Sequence, residues 1–301
     1  MSHYFSLNEY CRSRFGHKLY KLSLDGGMSC PNRDGKIGTG GCIFCSADGS
    51  GDFAEKHCED IFTQIEKAKS RVEHKNKGGK YIAYFQSYTN TYASVDYLEK
   101  IFFKAINHPD VEVLSIATRP DCVGDEVVKL LSQLNSVKPV WVELGFQTSD
   151  EDTAGYIRRG YENHVFASAV KRLNDAGIKT VAHVIIGLPH EDISQMENTV
   201  RFVCDCGIWG IKLHLLHVLS GTDLAKDYLD GCFTCMEKNE YLEIICRMLQ
   251  IIPENVVIHR LTGDGDKKKL IAPMWSANKK DVLNSLNAML REKNIVQGSY
   301  I

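Results

Sequence analysis

Apolar residues recur along this chain with two alternating periods. Lys18 to Leu24 alternates polar and apolar positions, the two-residue period of a strand. Tyr81 to Phe85, Val113 to Thr118, Val140 to Gly145, Thr180 to Ile186, Gly210 to Leu216 and Val256 to His259 are further short apolar runs of strand type. Between them, 57–75, 94–107, 124–135, 163–176, 192–206 and 237–250 read as helices. Ser94 stands where an N-cap belongs, and Gly177 ends the fourth helix. Strands alternating with helices predict βαβ units and a parallel sheet in an α/β fold. A (β/α) barrel, partial or complete, and an open doubly wound sheet both fit this pattern. Residues 261–301 leave the rhythm and are expected to form a small C-terminal extension after a core over 1–260, which includes an N-terminal lead-in.

The chain has 301 residues, 44% hydrophobic and 25% charged, which is ordinary for a globular protein. A net charge of −2 excludes a strongly basic binder of nucleic acid. Lys267, Lys268, Lys269, Lys279 and Lys280 read first as a solvated surface run. No apolar run is long enough for a bilayer, and Met1 to Phe5 shows no signal-peptide pattern, so a cytoplasmic protein without a membrane partner is expected. Eleven cysteines without a secretion signal point to metal or redox chemistry rather than a disulfide framework.

Three of those cysteines cluster in Cys30-Pro-Asn-Arg-Asp-Gly-Lys-Ile-Gly-Thr-Gly-Gly-Cys42-Ile-Phe-Cys45, directly after the first strand. Three thiolates on a Gly-rich loop suit a [4Fe–4S] cluster whose fourth iron stays open to a chelating ligand. Phe44 is expected to shield it. Structural zinc is the rival occupant; it wants a fourth ligand, which His57 or Cys58 can supply. Glu143, Gly145 and Gln147 share one strand face, and a charged residue inside an apolar strand is costly to bury alone, so Glu143 is expected to face a site. Thr118 and Arg119 end the third strand as carboxylate or ribose contacts; an Arg119 pair with Asp121 or Asp125 is equally open. Lys212 and His214 share a strand face, and either can face substrate. His183 reads as a satisfied core histidine. The lone Cys232-x-x-Cys235 reads as helix-start cysteines, and Cys204 and Cys206 as helix-end packing.

The cysteine loop resembles the cluster loop of the radical-SAM superfamily, and its long first gap is similar to the Elongator catalytic-subunit-like branch. The chain as a whole resembles the YhcC/YtqA-type radical-SAM proteins through Cys30–Cys45, Phe85–Tyr92, Ala117–Asp121, Glu143–Thr148, Gly187–Pro189 and His259–Asp264. The resemblance implies a partial (β/α)6 barrel, a [4Fe–4S] cluster on Cys30, Cys42 and Cys45, and S-adenosylmethionine (SAM) as cofactor. It implies that SAM is cleaved reductively to methionine and a 5′-deoxyadenosyl radical, which takes a hydrogen atom from substrate. It also implies a one-electron donor such as flavodoxin or ferredoxin. The family's Gly-Gly-Glu element is missing; Gln86, Ser87 and Asn90 stand where they can receive the SAM amino group instead. Glu143 and Gln147 are placed by the resemblance at the ribose or amino group, Arg159 (or Arg158) at the carboxylate, and Gly187 along the adenosine. Lys212 and His214 are the candidate catalytic residues. The Elongator-like branch modifies wobble uridines, so a transferase acting on a tRNA base is the leading expectation, with His259-Arg260 and the C-terminal lysines on phosphates. No acetyltransferase domain like that of the Elongator subunit is expected after the barrel. A radical-SAM enzyme acting on a small molecule or peptide, and a non-catalytic zinc-binding RNA adaptor, are the alternatives.

Overall fold

The computed structural model describes residues 2–301 apart from 48, 50–53, 55–59, 77, 78 and 264. His57 and Cys58, the candidate fourth zinc ligands, and Asp264 therefore lie outside the described residues. The chain opens with α1 (Leu7–Phe15), whose Ser6 and Glu9 form a reciprocal capping box, and β1 (Tyr20–Leu24). There follow α2 (Ile61–Val72), β2 (Tyr81–Phe85), α3 (Val95–Ile106), β3 (Val111–Thr118), α4 (Asp125–Val137) and β4 (Val140–Gln147). The second half holds α5 (Glu151–Tyr156), α6 (Asn163–Asp175), β5 (Lys179–Ile186), α7 (Ile193–Asp205), β6 (Gly210–Leu215), β7 (Val218–Leu219) and α8 (Asp223–Leu229). It ends with α9 (Lys238–Ile251), β8 (Val257–Arg260), β9 (Leu270–Ala272) and α10 (Lys279–Glu292).

Seven strands form one parallel sheet in the order β1-β2-β3-β4-β5-β6-β8. The order follows the chain with no reversal, so the doubly wound alternative is excluded: that topology needs a switch point. The sheet curls into a partial barrel with the helices on its convex face. On β4, Val142, Leu144 and Phe146 join the large core, and Phe146 meets Phe166 of α6 and Phe202 of α7. Trp141, Glu143 and Gly145 alternate with them and face inward. The helices cover the sheet through apolar stripes such as Leu98, Ile101, Phe102, Ala105 and Ile106 of α3. Ser94 occupies the N-cap position of α3, as expected, but its side chain makes no capping hydrogen bond.

The end of the barrel where the strands begin is closed by α1. Tyr10 packs on Trp209 and Trp141 at ring distances of 4.8 and 6.1 Å, and Lys179 Nζ donates to its hydroxyl at 2.8 Å. The opposite end, where parallel strands finish, is open. The C-terminal residues are tied to this body: β9 pairs antiparallel with β7, and the amide of Phe5 donates to Gln297. No helix of the described residues is long and apolar enough to cross a membrane.

Candidate functional site

A cavity of about 490 Å³ opens at the C-terminal ends of the strands, where a barrel of this kind gathers side chains from many strands at once. Cys30, Cys42 and Cys45 line its mouth. Their loop is folded by its own backbone: Arg33 and Asp34 amides donate to the Cys30 carbonyl, and the Gly41 amide to Asn32. Gly41 has φ +72° and lies so close to Arg33 that an added Cβ would stand 2.9 Å from its Nε, a turn that favours glycine. Arg33 in turn donates to the carbonyls of Cys45 and Ser46. Asn32 Nδ2 lies 3.5 Å from the Cys42 sulfur. Burial pushes the Cys42 thiol up to about 12, and the neighbouring Cys45 adds to this while Arg119 and Asn32 oppose it. Three thiols feeling one another in a shared pocket are the donor set that a [4Fe–4S] cluster with one open iron requires. Phe44 lines the same cavity.

The floor is organised around Glu143, which is fully buried. Lys21 Nζ reaches its Oε1 at 2.7 Å, Ser115 donates to the same oxygen at 2.7 Å, and His183 Nε2 lies 2.8 Å from Oε2. Lys212 donates to Oε2 and stands 3.2 Å from the Tyr84 hydroxyl. Burial alone would push the Glu143 carboxyl up, but Lys21 and Lys212, with the His183 hydrogen bond, hold it well below the usual carboxylate range. Burial lowers the Lys212 ammonium well below its ordinary range although Glu143 opposes the shift. His183 is lowered by burial, then by Lys212, to about 4, so its imidazole is neutral. His214 lies beside it, with ring centroids 5.2 Å apart, and its Nε2 has no hydrogen-bond partner among the described residues.

The wall between mouth and floor carries two buried guanidinium groups. Arg119 forms a bidentate pair with Asp121 at 2.9 and 2.8 Å and donates to the Arg159 carbonyl. Arg159, 1% exposed, donates to the carbonyls of Thr148 and Tyr161 and pairs with Glu151 at 3.0 Å. Their guanidinium carbons lie 5.0 and 4.8 Å from the Tyr161 ring, a stacked arrangement that fixes both. Gln147 adopts φ +71° just after a break in the β4–β5 register. Gly145 makes room for it: a Cβ there would stand 2.8 Å from the Gln147 amide nitrogen. A non-glycine residue held in this region is a strained backbone position of the kind that collects at functional sites.

Of the sequence-selected residues, the fold brings Gln86, Thr118, Arg119, Glu143, Gln147, Arg159, Lys212 and His214 to the same cavity as the three cysteines. Ser87, Asn90 and Gly187 are not among its lining. Asn90 is fully buried and donates to the carbonyls of Phe85 and Ala117 at 3.1 and 2.8 Å, which ties the ends of β2 and β3 together. Gly187 has φ +87° and faces Met236. His183 is hydrogen-bonded, as read from the sequence, but to a cavity residue and while lining the cavity itself. Lys21, Tyr84 and Tyr161 also line it and were not singled out as site residues, and Arg260, read as a phosphate contact, lines it too; Tyr20 to Leu24 alternates cleanly, yet alternation does not say which face is concave. His259 is half-buried and packs edge-on against Trp209 and Trp141, while Arg260 reaches the cavity. Cys232 is exposed and Cys235 packs against a small apolar cluster that Phe44 also touches, both cysteines lying between α8 and α9.

The sequence profile of the Radical SAM superfamily matches residues 34–203, and that of the Radical_SAM C-terminal domain matches residues 208–292. Over 297 residues the chain is 46% identical to YtqA of Bacillus subtilis, covering 99% of this chain and 92% of that one. It is 26% identical over 154 residues to the tRNA uridine(34) acetyltransferase of Methanocaldococcus jannaschii, covering 50% of this chain and 28% of that one. Among solved structures it superposes on Elp3 of Methanocaldococcus infernus lacking residues 1–46, with a TM-score of 0.70 and 16% identity over 93% of this chain and 64% of that one. At that identity the likeness is one of fold.

Proposed function

The chain belongs to the radical-SAM superfamily, and we propose that its activity is the modification of a tRNA base inside the cavity that the three cysteines share with the Glu143 floor. Its cofactors are those of the family, a [4Fe–4S] cluster and SAM. When bound, they supply an electron transfer that splits SAM and a carbon radical that takes hydrogen from substrate. The observation that carries the reading is the convergence of three thiols from one loop and polar side chains from several strand ends on one cavity.

In this reading Cys30, Cys42 and Cys45 are the metal ligands. Gln86, Thr118, Arg119, Gln147 and Arg159 form the cofactor wall. Arg119 and Arg159 act there chiefly through the rigidity that their own ion pairs impose. Glu143 serves less as a direct SAM ligand than as the counter-ion of Lys21 and Lys212. Lys212 and His214 face substrate from the floor. The partial likeness to a tRNA uridine(34) acetyltransferase supports an RNA base as substrate. The chemistry needs a one-electron donor, for which a flavodoxin or a ferredoxin is suited.

The test is anaerobic reconstitution of the protein with iron and sulfide, reduction with dithionite, and detection of 5′-deoxyadenosine with and without unmodified tRNA. Formation that rises with tRNA, together with a changed nucleoside in the digested RNA, is the expected result. Zinc in place of iron, with SAM left intact, would overturn the enzymatic reading. Turnover that ignores tRNA would move the substrate to a small molecule or peptide.

A further inference from the structure

The cysteine loop is pinned to the chain beyond β4 through one asparagine. Asn32 is 4% exposed, and its backbone carbonyl accepts the Gly41 amide at 2.7 Å, which folds the loop back beside Cys42. Its side chain reaches across to residues 157 and 158. These offer the loop two successive carbonyls: that of Ile157 accepts the Ile43 amide at 3.3 Å, and that of Arg158 accepts Asn32 Nδ2 at 2.5 Å. Arg158 has φ +56°, a left-handed turn that few non-glycine residues adopt and that the surroundings must hold in place. The contact also fixes the orientation of the Asn32 amide, since the opposite one would set two oxygens face to face. Gly160, at φ +78°, leaves room for its other end: a Cβ there would stand 3.1 Å from Asn32 Oδ1. The same Nδ2 lies 3.5 Å from the Cys42 sulfur, and that sulfur lies 3.6 Å from the Arg158 carbonyl. As a thiol, Cys42 donates to that carbonyl. As a metal ligand it has no proton, and sulfur and carbonyl are then both acceptors. An amide nitrogen with two N–H bonds, one for each, is the donor that such a pair requires.

We propose that Asn32 is a positioning residue for the cluster: it holds Cys42 by an N–H···S hydrogen bond and so raises the reduction potential of the cluster that Cys42 ligates. The inference rests on the reading of Cys30, Cys42 and Cys45 as ligands of one [4Fe–4S] cluster. Reduction adds one electron from the external donor and no proton, and part of the added charge falls on the thiolate sulfurs. An N–H aimed at one of them binds the reduced state more strongly than the oxidised state, so the electron enters more easily. A residue that merely kept the loop shut would act with the opposite sign. With three thiolates the cluster is an anion before and after reduction. Opening the loop lets water reach it, and water favours the more highly charged, reduced state.

A redox titration of the reconstituted protein, followed by electron paramagnetic resonance, tests this. Asn32→Ala is expected to shift the reduction equilibrium about tenfold towards the oxidised cluster, a potential lower by about 59 mV for one electron, with iron and sulfide per chain unchanged. A potential that stays put or rises overturns the proposal. The unsubstituted protein gives a second reading, when its asparagine side-chain amides carry heavy nitrogen. Pulsed resonance of the reduced cluster is then expected to show a coupling to that nucleus. Its absence overturns the proposal, even where Asn32→Ala takes up no iron. Uptake of zinc and no iron removes the cluster reading and this inference with it, whereas an iron protein with an unmoved potential removes the Asn32 bond alone.

Discussion

Lys21 and Lys212 bond to the two oxygens of a single carboxylate although they sit on β1 and β6. Five strand-to-strand steps separate them in the sheet order. In a flat sheet those strands would lie about 24 Å apart, beyond the reach of two lysines joined through one glutamate. Glu143, on the strand between, therefore measures the curvature of the sheet. It also means that the floor of the cavity and the closure of the barrel are held by the same four side chains, since His183 of β5 shares the carboxylate.

Removing the carboxylate should be costly. Glu143→Gln leaves the buried Lys212 and the partly exposed Lys21 without their counter-ion, and breaking a buried pair from one side typically destabilises by about 3 kcal/mol or more. Urea unfolding of the cluster-free protein measures it. A loss under about 1 kcal/mol would mean that water or another group already compensates the lysines.

The same cluster sets an acid sensitivity. His183 is held near 4 in the fold, against an ordinary value of 6.5. Between those values the unfolded chain takes up a proton that the folded one refuses. This contribution to stability is complete above pH 6.5 and declines as pH falls towards 4. Glu143, depressed in the fold, adds a loss of the same sign at still lower pH. His183→Gln should flatten the stability profile between pH 6.5 and 4; His214 and His259, also lowered by burial, leave a residual slope. An unchanged slope in the variant would show that His183 is not the group responsible.

Asn90 should behave as a brace. Its amide holds two buried carbonyls, and losing both hydrogen bonds costs about 2 kcal/mol. Asn90→Ala is expected to lower stability by that amount in denaturant titration while SAM affinity stays within about twofold, a change below 0.5 kcal/mol. A tenfold loss of SAM binding at unchanged stability would return Asn90 to the cofactor site.

The cysteine assignment is read by iron and sulfide content after reconstitution. Ala at position 30, 42 or 45 is expected to abolish the cluster, because each thiol lines the one cavity. Ser at both 232 and 235 should leave iron per chain unaltered, since Cys232 is exposed and Cys235 sits in apolar packing. Iron lost from the double variant alone would mean that the second pair ligates.

The sequence made most of the sheet legible because seven buried strands must be apolar, and burial on both faces is what a parallel sheet imposes. The helices that were missed are short or peripheral: α1, α5, α8 and the C-terminal α10. The clustering of the cysteines was legible, their expected role only through the resemblance of the whole chain, and Glu143 through the cost of placing a charge inside an apolar strand. Lys21 was not, because its partners lie on β4 and beyond, and nothing local announces a contact made only when the sheet curls. Arg159 was found for its position, yet its guanidinium is held by Thr148, Tyr161 and Glu151, contacts that exist only once β4 and α5 have met.

The aromatic plug formed by α1 has a consequence for how the chain is made. Tyr10 rests on Trp209 and Trp141, Ser6 bridges to Ile258, and Phe5 and His3 bond to Gln297 and Ile295. Helix α1 and the residues before it thus depend on partners translated some 130 to 290 residues later. Until then the apolar lower rim of the half-built sheet stands open to solvent and to other chains. The end of the barrel away from the cavity is thus closed by contacts between residues far apart in sequence, α1 on β4 and β6 and residues 3–6 on β8 and residues 295–297.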